Sequence, residues 1–378
     1  MNVAQFVNTL DYGGATDYAL QLVEGLTEHN HFVYSGQGDD WLDRAVGSGA
    51  TVHIFSSFQP THEGARPFSA RDLLCLIELV RRLRADRIDA LHCHGSKPRL
   101  LGMVAAWIAR VPVRVQSAHG FSPNPEMNRT LRSLLWVLEW LMALLCTSLV
   151  VETDADLAAA RRMLPHAQRK IVLIHHGVEE PQIDSGVSRE DVLQSIGVDP
   201  QSIVAIMACR LAPQKNPMAF VDAVQVLRTR HLDGRLSFIV VGDGPLEREM
   251  RQASEEGDLG IHFLGTRRDI WALVWAADIL VSPSHWEGLP LVIVNGYLLG
   301  TPSLASRVGG IPEVVIPDRT GVLLDDPTAG RVAEALARIE ADPRPLEAWG
   351  AAGRQLVREN FSPDRMLDAH RNLYCPPG

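Results

Sequence analysis

Short apolar runs alternate with helical patterns along both halves of this chain, and that alternation narrows the architectures open to it. In the first half, runs near 2–7, 31–35, 51–55, 88–92, 113–117, 147–151 and 170–174 read as strands, and helical periodicity appears near 15–29, 70–86, 97–110, 126–145 and 154–163. The second half repeats the scheme, with strands near 202–208, 236–241, 261–264, 278–282, 303–305 and 321–324. Continuous apolar strands separated by helices form parallel sheets covered on both faces, so the expected class is α/β with doubly wound, Rossmann-like units. At 378 residues the chain exceeds the size at which one core keeps growing, and the acidic, apolar-poor segment GVEEPQIDSGVSRED at 177–191 suits a linker between two domains.

In doubly wound sheets, ligands bind at the loops beyond the carboxyl ends of the strands. The run ILVSP reads as a buried strand ending at Pro283. Glu287 then sits in the turn, and Gly288, Leu289 and Pro290 open an amphipathic helix carrying Leu291, Val292, Val294, Leu298 and Leu299. Proline early in a helix gives up only an N–H that lacks a partner within the helix, and the free amides of that turn suit a phosphate. Glu287 has two readings: a first-turn carboxylate favoured by the helix dipole, or a carboxylate held beside a polyol whose phosphate the amides bind. The strand in QSIVAIMACR is followed by a loop carrying Arg210 and Lys215. Two such cations beyond a strand end suit a diphosphate, the guanidinium in bidentate fashion and the ammonium as a point charge. The alternative is a pair of solvated loop charges.

The segments LDYGGATDYALQLVEGL (10–26), SAHGF (117–121), CRLAPQK (209–215), VVGDGPLEREM (240–250), FLGTRRDIWALVWAADILVSPSHWEGLPL (263–291) and VGGIPEVV (308–315) occur in the order found in the retaining GT-B glycosyltransferases of family 4. The resemblance covers nearly the whole chain, and SAHGF with the apolar helix after it resembles bacterial envelope-polysaccharide transferases. It implies two Rossmann-like domains facing a central cleft: an acceptor-side domain over 1–180, a nucleotide-sugar domain over 181–361, and a last helix within 362–378 that crosses back to the first domain. It further implies that Gly13 and Gly14 let a loop approach the donor diphosphate, and that His119 lies by the transferred sugar. Arg210 and Lys215 would neutralise the diphosphate, and Glu287 would hold sugar hydroxyls. Gly242, Gly265, Gly288, Leu289, Leu291 and Val292 fall in segments that would line the nucleotide-sugar side. One position departs from the pattern. The family places a second glutamate eight residues after the first to grip the nucleotide ribose, and here that residue is Asn295. An amide still accepts a hydrogen bond there, but replacing a charged acceptor by a neutral one loosens nucleotide binding by about 1 kcal/mol.

A formal net charge of −9 argues against a nucleic-acid binder that works by neutralising phosphates. Five scattered cysteines read as reduced thiols of a cytoplasmic protein, and MNVAQFVNTL reads as a first strand and not as a signal peptide. The stretch LLWVLEWLMALLCTSLVV at 134–151 has 18 residues and one charge, Glu139. Thr147 and Ser148 divide it into a helix and a strand, each too short to span a bilayer. Trp136 and Trp140 share a face of that helix and read first as core, second as peripheral contact with the inner face of a membrane.

His92 and His94, alternating at a strand end, allow a metal pair by geometry, but no third ligand follows at a suitable spacing. They read better as polar residues lining the cleft, with Lys97 and Arg99 either available to an anionic acceptor or simply solvated. His119 is either a partner for a sugar hydroxyl or a satisfied loop histidine, while His175 and His176 pack and cap. GDGP at 242–245 lacks the spacing of a dinucleotide fingerprint and the lysine of a P-loop, so its glycines serve a tight turn. No Asp-x-Asp pair stands at the end of a first-half strand. A reaction without metal or cofactor is expected, with Arg210 and Lys215 balancing the leaving-group charge.

The sequence thus predicts a transferase moving a sugar from a nucleoside-diphosphate donor to an acceptor hydroxyl, retention of configuration being implied by the resemblance alone. A lipid-linked or cell-surface saccharide is the leading acceptor, and a small soluble aminocyclitol or natural product the alternative. Asn295 keeps a catalytically silent nucleotide-sugar binder as a rival. A sugar-nucleotide epimerase would need acid/base carboxylates in the first domain, and none stands out.

Overall fold

Strands form where the apolar runs lie, because parallel strands covered on both faces need apolar residues at successive positions. In the computed structural model, which describes residues 1–11, 13–38, 41–60, 69–120, 129–229 and 234–375, the first sheet contains β1 (Asn2–Phe6), β2 (Asn30–Ser35), β3 (Thr51–Ile54), β4 (Ala90–His94), β5 (Val113–Ala118), β6 (Ser148–Val151) and β7 (Ile171–Leu173). Its order is β3-β2-β1-β4-β5-β6-β7, all parallel. The second sheet contains β8 (Ile203–Ala208), β9 (Leu236–Val241), β10 (Ile261–Phe263), β11 (Ile279–Ser282), β12 (Ser303–Ser306) and β13 (Gly321–Leu324). Its order is β10-β9-β8-β11-β12-β13, again all parallel. Every expected strand is present.

The helices depart more from expectation. The first ends at Gly25, and a six-residue helix at Leu42–Gly47, too short to give a periodic signal, was not anticipated. The helix expected over 126–145 is described as Arg129–Leu145, residues 126–128 being outside the described residues. Tyr12 and Phe121, which belong to the family-like segments, also lie outside them.

The chain divides into two compact units: Met1–Gly177 with Pro363–Gly378, and Val178–Ser362. The first boundary falls three residues before the expected 180/181, and the C-terminal helix Pro363–Tyr374 belongs to the first unit. One face of the first sheet presents Ala4, Phe6, Leu91, Cys93, Leu149 and Val151 to a large core. The other presents Val3, Ala90, Val115 and Val150 to Tyr18 and Leu22 of the first helix and to Met366 and Tyr374 of the C-terminal helix. The central strand β8 of the second sheet is apolar on both faces, with Val204, Ile206 and Ala208 on one and Ile203, Ala205 and Met207 on the other.

Candidate active site

In the second unit the strand order reverses direction of growth between β8 and β11, and the loops leaving those two strands meet beyond their carboxyl ends. Such a switch point opens a crevice for a ligand. The β8 loop folds into a single 3-10 turn, Pro213–Lys215, and Lys215 Nζ donates to Glu287 Oε1 at 2.6 Å. Ser284 Oγ donates to the same oxygen at 2.7 Å, and the Glu287 side chain is only 5 % exposed. The backbone around the carboxylate is fixed as well: Gln214 Nε2 donates to Trp286 O, and His285 N to Gln214 O. Gly309 closes the far side with φ of 52°, and a Cβ there would stand 1.9 Å from Glu287 O. No side chain fits that contact. Arg210 is exposed at the start of the β8 loop, and burial pushes the neighbouring Cys209 thiol up to about 12.

Gly242 follows β9; its N–H donates to Gly265 O at 2.8 Å, and a Cβ at Gly242 would meet Cys209 O at 1.9 Å. The carbonyl of Gly288 accepts from Gly310 N, and Leu289 is half-buried against the core of this unit. The helix expected to open at Gly288 begins at Leu291, with Pro290 as its N-cap. It is not amphipathic, since Ile293 through Leu299 are all buried and only Leu291 and Val292 of its first turn are partly exposed. Asn295 lies inside this buried segment, where its Nδ2 donates to Leu291 O at 2.9 Å. That bond occupies one amide proton and leaves Oδ1 as an acceptor.

In the first unit Gly13 caps the first helix with an extended backbone and open space around its Cα, and Gly14 is the first helical residue. Among the described residues nothing requires glycine at Gly13, whereas a closely approaching ligand would. His119 follows β5 and Glu152 follows β6, next to the paired residues Ala118 and Val151, and His119 Nδ1 lies 2.6 Å from Glu152 Oε1. His119 Nε2 lies 3.2 Å from His94 Nδ1. His92 and His94 are within β4 and fully buried, so they do not line an open cleft, and burial holds both well below the usual imidazole range. Burial opposes ionisation of Glu152, but His119 beside it outweighs that effect and holds its carboxyl below the usual range. His175 Nδ1 bonds Glu152 O, and buried His176 stacks edge-on against Tyr18. Among the described residues, no three His, Cys, Asp or Glu side chains cluster in a way that could hold a metal ion.

Two further expectations are corrected. Lys97 and Arg99 are neither solvated nor available to an acceptor: Lys97 pairs with Asp72 at 2.7 Å, Arg99 with Glu139 at 2.6 Å, and both cations are buried in the helix Ser96–Ala109. The aromatic pair is not core throughout. Trp136 is partly buried against the first-unit core, but Trp140 is exposed, as are Leu134, Val137, Leu141 and Leu144 on the same helix, at 44–55 %. Sequence reasoning also missed Glu152, Gln5 and Tyr374. The available signal was a polar residue at alternate positions near the ends of successive strands.

Known proteins resemble this chain in sequence and fold. Residues 12–180 match the model of Glycosyltransferase Family 4, and residues 188–356 that of Glycosyl transferases group 1. The Escherichia coli UDP-Gal:alpha-D-GlcNAc-diphosphoundecaprenol alpha-1,3-galactosyltransferase is 29% identical over 80% of this chain and 79% of its own length. Alpha-maltose-1-phosphate synthase of Mycobacterium tuberculosis is 30% identical over 78% of this chain and 82% of its own. The fold is that of the Anabaena protein HepE, solved in complex with UDP and glucose, with a TM-score of 0.82, 18% identity and 98% of both chains covered.

Proposed function

Because the chain belongs to the glycosyltransferases of family 4 and group 1, with the two Rossmann-like units of the GT-B class, we propose a division of labour between its units. The protein is a nucleotide-sugar-dependent glycosyltransferase. The second unit binds the donor: Arg210 and Lys215 neutralise the diphosphate, Glu287 takes the sugar hydroxyls, and Asn295 Oδ1 accepts from the ribose. Leu289, Leu291, Val292 and the backbone at Gly242, Gly265 and Gly288 line the donor. His119 of the first unit serves the transferred sugar, with Gly13 and Gly14 beside the diphosphate. The carrying observation is the Lys215–Glu287 pair, a fixed cation and a nearly buried carboxylate held on adjacent strand-end loops. A diphosphate ester of a polyol offers an anion to the cation and hydroxyl donors to the carboxylate.

In the proposed reaction the acceptor oxygen attacks the anomeric carbon on the face the diphosphate leaves. The carbon–oxygen bond to the diphosphate breaks with its electron pair moving to the phosphate oxygen, and the hydroxyl proton passes to that same oxygen. Configuration is retained. Fixed cations stabilise the charge that develops on the leaving group, so the reaction runs without a metal ion. The acceptor is a lipid-linked saccharide. This reading is supported by the acceptor named for the Escherichia coli relative and by the exposed apolar stripe of Arg129–Leu145. Beside that stripe lies the turn Pro165–Lys170, where the His166 ring leans at 45° against Trp140 and Arg169 is exposed. Apolar side chains flanked by cations suit a membrane surface carrying anionic lipids. Among the described residues no helix is long and apolar enough to cross a membrane.

A thermal-shift panel across UDP, GDP, ADP and dTDP identifies the base, since binding stabilises by mass action. With matching nucleotide sugars, release of free nucleoside diphosphate is expected only when a diphospholipid-linked saccharide is added. Release with a soluble sugar phosphate or aminocyclitol instead would move the acceptor to the soluble class. No release with any acceptor, despite binding, would leave a silent nucleotide-sugar binder.

A further inference from the structure

The face of the first sheet that carries the first and C-terminal helices changes character along every central strand. It is aliphatic at the amino end (Val3, Ala90, Val115, Val150) and polar two to four residues later (Gln5, His92 and His94, Ser117, with His119 and Glu152 just beyond). The polar groups form one connected chain. Ser117 Oγ lies 2.8 Å from His92 Nε2, and His92 Nδ1 lies 2.8 Å from the Tyr374 hydroxyl. Gln5 Nε2 donates to that hydroxyl at 3.1 Å, and Gln5 Oε1 lies 2.9 Å from His94 Nε2. His94 then meets His119, and His119 meets Glu152. An unpaired buried polar group is costly, and here each link supplies the next one's partner.

Counting protons along the chain ties the Nε2 side of His119 to the orientation of the Gln5 amide. Neutral His94 has one N–H. With Gln5 Oε1 facing it, that proton is on Nε2, so His94 Nδ1 is an acceptor and His119 Nε2 must donate to it. His119 Nδ1 donates to the carboxylate of Glu152. In this arrangement His119 carries both protons and pairs with Glu152. Rotating the Gln5 amide by half a turn reverses the chain: His94 Nδ1 becomes the donor and His119 is neutral, with Nδ1–H still on Glu152. In both arrangements Glu152 holds Nδ1–H, and only the Nε2 side changes role.

We propose that Glu152 is the positioning residue of His119: it locks Nδ1–H and the ring plane, so that Nε2 is the nitrogen that exchanges His94 for a hydroxyl of the bound sugar. The Gln5–His94 link, closed from the C-terminal helix by Tyr374, sets whether that nitrogen donates or accepts. The inference rests on the reading that His119 serves the transferred sugar.

The test compares Glu152→Ala, Glu152→Gln, His119→Ala and the Glu152→Ala/His119→Ala double variant, each first shown by thermal melting to be folded. Glu152→Ala is expected to lower kcat on the order of tenfold to a hundredfold, as a misplaced catalytic group does, with nucleoside-diphosphate affinity unchanged. Glu152→Gln, whose amide oxygen still accepts from Nδ1–H, should recover most of it. Adding Glu152→Ala to His119→Ala should cost nothing more. A full additional loss in the double variant, or no rescue by glutamine, overturns the proposal. Nitrogen-15 spectra of the His119 ring supply an arm independent of activity: Nδ1 should be protonated in wild type and in Glu152→Gln, and exchange between tautomers in Glu152→Ala. An unchanged ring signature in Glu152→Ala overturns the positioning role. Full activity in His119→Ala with the expected spectra would instead refute the assignment of His119 to the sugar.

Discussion

The second sheet is apolar along both faces of its central strands and carries small hydroxyls, Ser282 and Ser306, at the carboxyl ends of β11 and β12, whereas the first turns to histidine, glutamine and carboxylate along one face as its strands end. In the second unit the charged groups proposed to bind the donor sit on loops, a few residues apart, and are held by backbone contacts such as Gln214 to Trp286. In the first unit the linked polar groups come one or two per strand, with Tyr374 added from the C-terminal helix, and hold one another. A charge clamp for a diphosphate can be built from loops on an apolar platform. Orienting an imidazole takes partners on both of its nitrogens, and the neighbouring strands and the C-terminal helix supply them.

The difference should be largest in acid. Among the described residues every buried histidine (His31, His92, His94, His176 and His370) lies in the first unit. Burial lowers the affinity of His31, His92, His94 and His370 for protons, bringing His370 from 6.5 to about 4. Between those values the unfolded chain binds the proton and the folded one does not. Stability is therefore whole above about pH 6.5 and is lost as pH falls toward 4, on the order of 3 kcal/mol for His370 alone. Glu152, depressed below the carboxylate range, adds loss only at still lower pH. Hydrogen exchange followed by mass spectrometry between pH 7.5 and 4.5 should show the first sheet opening ahead of the second, and equal opening of both would break the comparison.

Next in size is the clamp. Arg210→Ala or Lys215→Ala should cut turnover on the order of a hundredfold, as loss of a fixed charge donor does, with the fold retained. Near-native turnover in both would remove the donor from this loop. The exposed helix sharpens the contrast on the surface. Trp140→Ser with Leu144→Ser should leave stability within about 0.5 kcal/mol of wild type and abolish liposome flotation, whereas Trp136→Ser, partly buried, should cost roughly 2 kcal/mol. Retained flotation in the double variant would exclude this face as the membrane contact. The smallest effect is at Asn295. Asn295→Glu should tighten the nucleoside diphosphate severalfold and Asn295→Ala weaken it by a similar factor, read by calorimetry. Identical affinities would mean that Asn295 does not touch the ribose.

The two units also differed in how far they could be read in advance. The strand positions follow from apolar runs, and the nearness of Lys215 and Glu287 from two short motifs, because both are recorded in contiguous residues. Helix ends were less legible: Pro290 marks the residue before the helix and not its first turn. The charges of Lys97 and Arg99 looked solvated because their partners, Asp72 and Glu139, lie on two other helices. Glu152 passed as an ordinary residue after a strand. Its meaning depends on β5 and β6 being neighbours, and that is a property of the sheet.

The division of labour is tested most directly by hydrogen exchange with and without the nucleoside diphosphate that gives the largest thermal shift. Protection is expected in the second unit, at residues 209–216 and 282–292 on the loops after β8 and β11, and it should vanish in Lys215→Ala. Protection that leaves these two loops unchanged, or that survives in Lys215→Ala at full strength, would contradict the assignment of the donor diphosphate to the Lys215–Glu287 site.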